Sequence, residues 1–202
     1  MLKTKGERTR QAILDVAAAL ATEEGLEPLS IGRLADATEM SKSGLFAHFG
    51  SKEDLQLATV DHAASLFVAE VIAPAREAPK GVARVWALCD SMLDYAEQQV
   101  FPGGCFFAAT SFEFNNRPGP VRDRIVEMVG TWLSYLEHAV EQAQEAGEID
   151  PSLSAREIAF ELDAFAQGCN AKFQLFRDPR VFDEARRAIR DRLESLRPAR
   201  AA

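Results

Sequence analysis

Apolar residues in this chain recur almost everywhere at helical spacing, and nowhere in the strict alternation of a half-buried strand. Ile13, Val16, Ala17 and Leu20 follow the i, i+3, i+4, i+7 pattern. Leu55, Ala58, His62, Leu66, Ala69 and Ile72 hold one face as far as Pro74, and Val85, Leu88, Met92 and Tyr95 do so between Val82 and about Val100. The punctuation is helical too. Glu24-Gly25 supplies a C-capping glycine, and Ser30 and Ser51 are N-caps, with Glu53 and Asp54 in the first turn after Ser51. Pro120 opens a helix to about Ala146, ended by Gly147. Ser154 and Glu157, at capping-box spacing, open another to about Phe176. Asp178-Pro179 reads as an N-cap with proline at the first position of a last helix to about Leu196. The pattern predicts an all-α chain of about nine helices. The early helices are short and the later ones long. Two parts are therefore expected, residues 1–52 and 53–202, with the boundary in or near the helix that starts at Ser51.

A chain of 202 residues can bury a sizeable core. No uninterrupted apolar run approaches the roughly 18 residues of a membrane span, and the basic N-terminus leads into no signal-peptide core, so a cytoplasmic protein without a membrane partner is expected. Cys89, Cys105 and Cys169 are odd in number and widely spaced, which predicts buried thiols rather than disulfides or a zinc site. No phosphate loop or metal motif is present, so no metal and no cofactor are expected. The net charge of −8 argues against a nonspecific nucleic-acid coat but leaves room for a local contact surface. Lys3, Lys5, Arg8 and Arg10 stand against Glu7 at the start, and Lys42 and Lys52 are the next candidate cations.

Between Ser30 and Phe49 the sequence reads as two short helices joined by a tight turn. Ile31, Leu34 and Ala35 would face inward from the first, and Leu45 and Phe49, four apart, from the second. That leaves Lys42, Ser43, Gly44, Phe46, Ala47 and His48 outside. A helix-turn-helix puts the exposed N-terminal side of its second helix into the DNA major groove. Ser43, Gly44 and Ala47 are small enough for close approach, and Lys42 can donate to a phosphate or a guanine edge. His48 and Lys52 are placed for backbone phosphates, and Lys52 with the N–H groups near Ser51 would form a small anion site. Ser30 and Lys5 complete the candidate DNA contacts.

The stretch SIGRLADATEMSKSGLFAHFGSKEDL, Ser30 to Leu55, with the helix before it, resembles the TetR family of transcriptional repressors. Ser41, Lys42, Leu45, His48, Phe49, Ser51, Lys52 and Glu53 match the family's pattern in order. Phe46 stands where the family usually has a tyrosine that bonds a phosphate, Glu39 where glycine is common in the turn, and Gly50 replaces the usual proline. The resemblance implies a homodimer that binds double-stranded operator DNA through this motif. It also implies a C-terminal domain that binds a small effector.

The middle of the chain offers apolar walls with a few polar groups, the composition of a small-molecule pocket and equally of a core. Trp86, Met92, Cys105, Phe106, Phe107, Thr110, Phe112, Trp132, Phe165 and Cys169 are the candidate effector-binding residues. The segment GGCFFAATSFEF, aromatic-dense and set between long helices, could move when a ligand fills the space beneath it. No cationic cluster accompanies these residues, so an apolar or weakly polar effector, aromatic or acyl, is expected.

In the helix to Phe176, a bulky stripe (Ile158, Leu162, Phe165, Cys169, Phe173, Phe176) would face the core. A second face (Phe160, Ala164, Gly168, Ala171, Leu175) would be covered by a partner. Phe160, Ala164, Gly168 and Ala171, with Phe182, Ala185 and Ile189 of the last helix, are the candidate dimer interface, an isologous four-helix contact. The run Arg186, Arg187, Arg190 and Arg192 is interleaved with acids and does not read as a DNA patch.

A ligand-released repressor binding a near-palindrome follows as the leading expectation. The alternative is an activator or architectural DNA binder that ignores small molecules. An enzyme using Cys105 as nucleophile is the poorest reading: no histidine lies near it in sequence, with His62 and His138 on separate helices, and no enzyme is expected.

Overall fold

A computed structural model describes residues 4–198. Among these there is no strand, and nine helices follow one another: α1 (Lys5–Glu24), α2 (Ile31–Thr38), α3 (Lys42–Phe46), α4 (Lys52–Ala75), α5 (Val82–Glu97), α6 (Phe106–Phe114), α7 (Pro120–Glu145), α8 (Ala155–Phe176) and α9 (Arg180–Ser195). The all-α class and helix number are those the periodicity predicts. Ser30, Ser41, Ser51 and Ser154 each accept a backbone N–H from three residues on. The last helix starts one residue later than expected, at Arg180, whose N–H is taken by the Asp178 carboxylate at 3.0 Å.

Pro74 does not end α4. The helix widens into a π turn at Val68–Ile72 and continues to Ala75. The proline ring and its missing N–H break the ordinary hydrogen-bond ladder, and the widened turn lies directly before it. By length and composition α4 is apolar enough to cross a membrane, although Asp61, His62 and Glu70 interrupt it, so no uninterrupted apolar run of that length is present. Half of its apolar window is buried inside the protein, as in a core helix.

Compactness groups the chain into two units. The first contains the residues up to Leu66 together with Phe101–Met128. Here α1 packs on α2 and α6, and α2 on α3, over a core that includes Leu14, Leu26, Leu34, Leu45, Phe49 and Phe106. The second contains Phe67–Val100 and the chain from Val129 onward. Here α5 packs on α8, α9 and the end of α4, and α8 packs on α9. The chain passes between units inside α4, at Val100–Phe101 and inside α7.

Candidate nucleic-acid interface

The α2–α3 segment, the candidate reading motif, is built on a few buried side chains. Ile31, Leu34 and Ala35 of α2 are buried, and so are Leu45 of α3 and Phe49 just beyond it. Ser41 caps α3, accepting the Gly44 N–H at 3.1 Å. With that face fixed inward, Lys42, Ser43, Phe46 and Ala47 are exposed, and Gly44 and His48 are half-buried. Phe46 is 53% exposed, a large ring held in solvent beside an apolar anchor. A Cβ on Gly44 would lie 3.1 Å from the capping Ser41 hydroxyl, so the glycine serves the cap as well as the outer surface.

Arg10 belongs to this site in a way its position in the basic arm conceals. Its guanidinium lies 4.5 Å from the centre of the Phe49 ring and donates to the His48 carbonyl at 3.3 Å. It therefore ties α1 to the end of the reading segment by a cation–π contact and a hydrogen bond. Lys5 and Arg8 lie exposed on the first turns of α1, which opens with a Thr4–Glu7 capping box. Lys3 lies outside the described residues. Ser30 is half-buried, and its hydroxyl is used by the Arg33 N–H as the cap of α2.

The anion site expected at Ser51 needs correcting. The Ser51 hydroxyl accepts the Asp54 N–H at 3.0 Å and donates to the Asp54 carboxylate at 2.8 Å. Glu53 and Asp54 already place carboxylates over that helix start, which satisfies its dipole from within. Lys52 remains as a cation, half-exposed, with its ammonium 3.1 Å from Glu27.

The candidate effector residues divide evenly between the units. In the first, Cys105, Phe106, Phe107 and Thr110 are buried, and Phe106 packs against Phe101 and Phe107 at ring distances of 6.0 and 5.3 Å. The Thr110 hydroxyl is used within its own helix, donating to the Phe106 carbonyl. Phe112 is 79% exposed. In the second, Met92, Trp132 and Cys169 are buried, and Trp86 is half-buried beneath the Arg190 guanidinium, 4.4 Å from its ring. Trp132 packs edge-on to Phe67 and donates from Nε1 to Asp163 at 2.8 Å. Burial raises the Asp163 pKa above the ordinary carboxylate value despite the hydrogen bonds from Trp132 and Gln167. Burial likewise pushes the Cys89 thiol up to about 12 and Cys169 to about 11. Phe165 and Phe176, expected in the core stripe of α8, are exposed instead. Within the first unit a cleft of about 460 Å³ lies between α1 and α4. It is lined by polar groups including Arg10, Gln11, Asp61 and His62, and by none of the expected effector residues.

Phe160 and Leu175 are exposed at 70% and 74%, Ala164 and Ala171 are exposed, and Gly168 is half-buried, all along one face of α8. Phe182, Ala185 and Ile189 are corrected: they are buried inside their own subunit and present no surface to a partner. The apolar side of α9 is consumed by packing on α5 and α8, with Phe182 at 4.8 Å from the Phe173 ring. Arg186 bonds to Asp90, Asp94 and Glu97 of α5 and reinforces that packing.

Sequence reasoning counted Arg10 only as a cation of the arm and Glu113 only as a polar group of the aromatic segment, and missed what each holds. Glu113 accepts the N–H groups of Leu26 and Glu27 in the α1–α2 turn, at 2.8 and 2.9 Å. Only the spatial return of α6 to α1 reveals it, since the residues lie far apart in sequence.

Comparison with known proteins agrees with this geometry. Residues 13–59 match the family model for bacterial regulatory proteins of the tetR family, and residues 81–189 match that for a tetracyclin repressor-like C-terminal domain. A TetR transcriptional regulator from Chloroflexus aurantiacus superimposes with a TM-score of 0.84 at 26% identity, over 92% of this chain and 93% of that one. AibR, solved with isovaleryl coenzyme A and operator DNA, shares the fold at a TM-score of 0.72 and 22% identity, over 89% of this chain and 97% of that one. The nucleoid occlusion factor SlmA of Haemophilus influenzae is 26% identical over 96 residues, 48% of this chain and 44% of that protein, so the chain spans less than half the length of this curated relative. The two matched segments together run through the reading motif and most of the later helices, and the chain belongs to the TetR family of transcriptional regulators.

Proposed function

We propose that this protein is a homodimeric, cytoplasmic repressor that binds a near-palindromic operator and is released by a small effector. The observation that carries the reading is α3: a short helix anchored by buried Leu45 and Phe49, with Lys42, Ser43, Phe46 and Ala47 outward. In this reading Lys42 and the small residues beside it approach the major groove, and His48, Lys52, Ser30 and Lys5 flank it toward phosphates. The apolar face of α8, from Phe160 to Leu175, is the surface a second subunit covers, which places two reading helices on one duplex.

The effector is apolar or weakly polar. Supporting this are the two clusters of ring-on-ring packing, Phe106 with Phe101 and Phe107, and Trp132 with Phe67. A fold relative, AibR, was captured with isovaleryl coenzyme A and with operator DNA, which supports a small-molecule effector here; of that ligand only the acyl part, and not the charged coenzyme A, matches the apolar character proposed. Release requires the effector to bind a DNA-incompetent arrangement more tightly than the competent one, a population shift set by that difference in affinity.

Lys42→Ala and His48→Ala test the contact assignment. Each should weaken operator binding while the dimer stays folded, and Lys42→Ala should lower the salt dependence by about 0.9 in log K per log [salt], one phosphate contact. Titration of a labelled operator at several salt concentrations measures both. Unchanged affinity in the two variants would sink the assignment.

A further inference from the structure

The α1–α2 turn is gripped from several directions at once. Glu113, on α6, takes the Leu26 N–H with Oε2 and the Glu27 N–H with Oε1. Gln56, buried on α4, donates from Nε2 to the carbonyls of the same two residues, at 2.7 and 3.2 Å. The Glu27 side chain in turn holds the Lys52 ammonium. Two glycines permit the grip. Gly25 has φ of +98°, and a Cβ there would lie 2.8 Å from Glu113 Oε1. Gly103, just before α6, donates its N–H to the Thr22 hydroxyl at 3.1 Å, and a Cβ there would lie only 1.9 Å from the Thr22 carbonyl oxygen.

We infer that Glu113 is a positioning residue for DNA reading: its carboxylate fixes the α1–α2 turn from which the reading motif is launched. The inference rests on this chain being a DNA-binding regulator. The turn leads directly into α2, which packs on both α1 and α3, so a shift of the turn is carried to α3. Hydrogen bonds to an ionised carboxylate are roughly twice as strong as neutral ones, and two N–H groups shared by one carboxylate define an orientation as well as a distance. Lys52 depends on the same turn, because its partner Glu27 is one of the two residues Glu113 holds.

Glu113→Gln is the test, in the full-length protein with a labelled operator duplex recovered by selection and an unrelated duplex of equal length. Glutamine keeps the shape and one acceptor but turns an NH2 group toward the other backbone N–H. Expected is a loss of operator affinity of about tenfold with a clearly smaller loss for the unrelated duplex, since base reading depends on the seat of α3 whereas only Lys52 among the proposed phosphate contacts depends on the turn. A folded variant that melts lower but binds the operator like the unaltered protein would overturn the positioning role and leave a purely structural one. The unaltered protein supplies a second test that needs no variant. If turn order and DNA binding are coupled, operator binding must slow amide exchange at Leu26 and Glu27, by reciprocity. No slowing at these amides in the bound protein would overturn the inference. Failure to recover any operator would count against the DNA-binding reading itself, and so is distinguishable.

Discussion

Arg10 lies in a stretch rich in Lys and Arg, and by charge it belongs to a DNA-seeking arm. In the fold its guanidinium covers Phe49 and bonds to the His48 carbonyl, holding the reading segment from behind. Such a role depends on a neighbour 38 positions away, so no local pattern announces it. Phe46 was readable, by contrast, because its place in the Leu45–Phe49 spacing puts it on the outside, and it is exposed there. A phenyl ring in that position cannot donate to a phosphate. Phe46→Tyr adds a hydroxyl to an exposed edge at no packing cost, and should tighten operator binding by about 1 kcal/mol, roughly fivefold, the worth of one ordinary hydrogen bond. Equal affinities of the two proteins in the same titration would show that no phosphate lies within reach.

At the scale of elements, α2 ends with a strained residue. Glu39 takes left-handed backbone angles, φ 54° and ψ 23°, which cost a side chain about 1 kcal/mol that glycine avoids. Glu39→Gly should raise stability by up to about that amount, and it removes a negative charge beside the reading helix. Glu39→Gln separates the two effects: in thermal melts only the glycine variant gains stability, while operator affinity rises in both. The helices themselves were largely legible from periodicity and caps, because capping serines and apolar spacing act within one turn. What a helix face packs against was not. The stripes of α8 and α9 look alike in sequence, yet α9 spends its apolar side on α5 and α8, while Phe160, Ala164 and Leu175 of α8 stay outside. Phe165 and Phe176 failed for the same reason: hydrophobicity gives a side chain the tendency to be buried, and the arrangement of other helices decides whether it is.

For the whole molecule, the segment Phe101–Met128 is grouped with the reading motif rather than with the helices on either side of it in sequence. Composition placed it in an effector domain; its hydrogen bonds to Thr22, Leu26 and Glu27 place it beside α1. The aromatic segment expected to respond to a ligand is thereby fastened to α1 and to the turn that leads into α2. A single subunit leaves an apolar face on α8 with two aromatic or aliphatic ends and small residues between, a surface suited to close helix packing. Phe160→Glu with Ala164→Glu would set like charges against each other across a twofold axis. It should yield folded monomers at micromolar concentration in sedimentation, with operator affinity falling as the second reading helix is lost. An intact dimer would refute that interface.

The central claim is that two copies of α3 read one duplex. Selection of bound DNA from a random pool tests it most directly. The account predicts an inverted repeat whose half-site centres lie about one helical turn, or a multiple of it, apart. Enrichment of a single half-site without symmetry, or of no sequence at all, would contradict it.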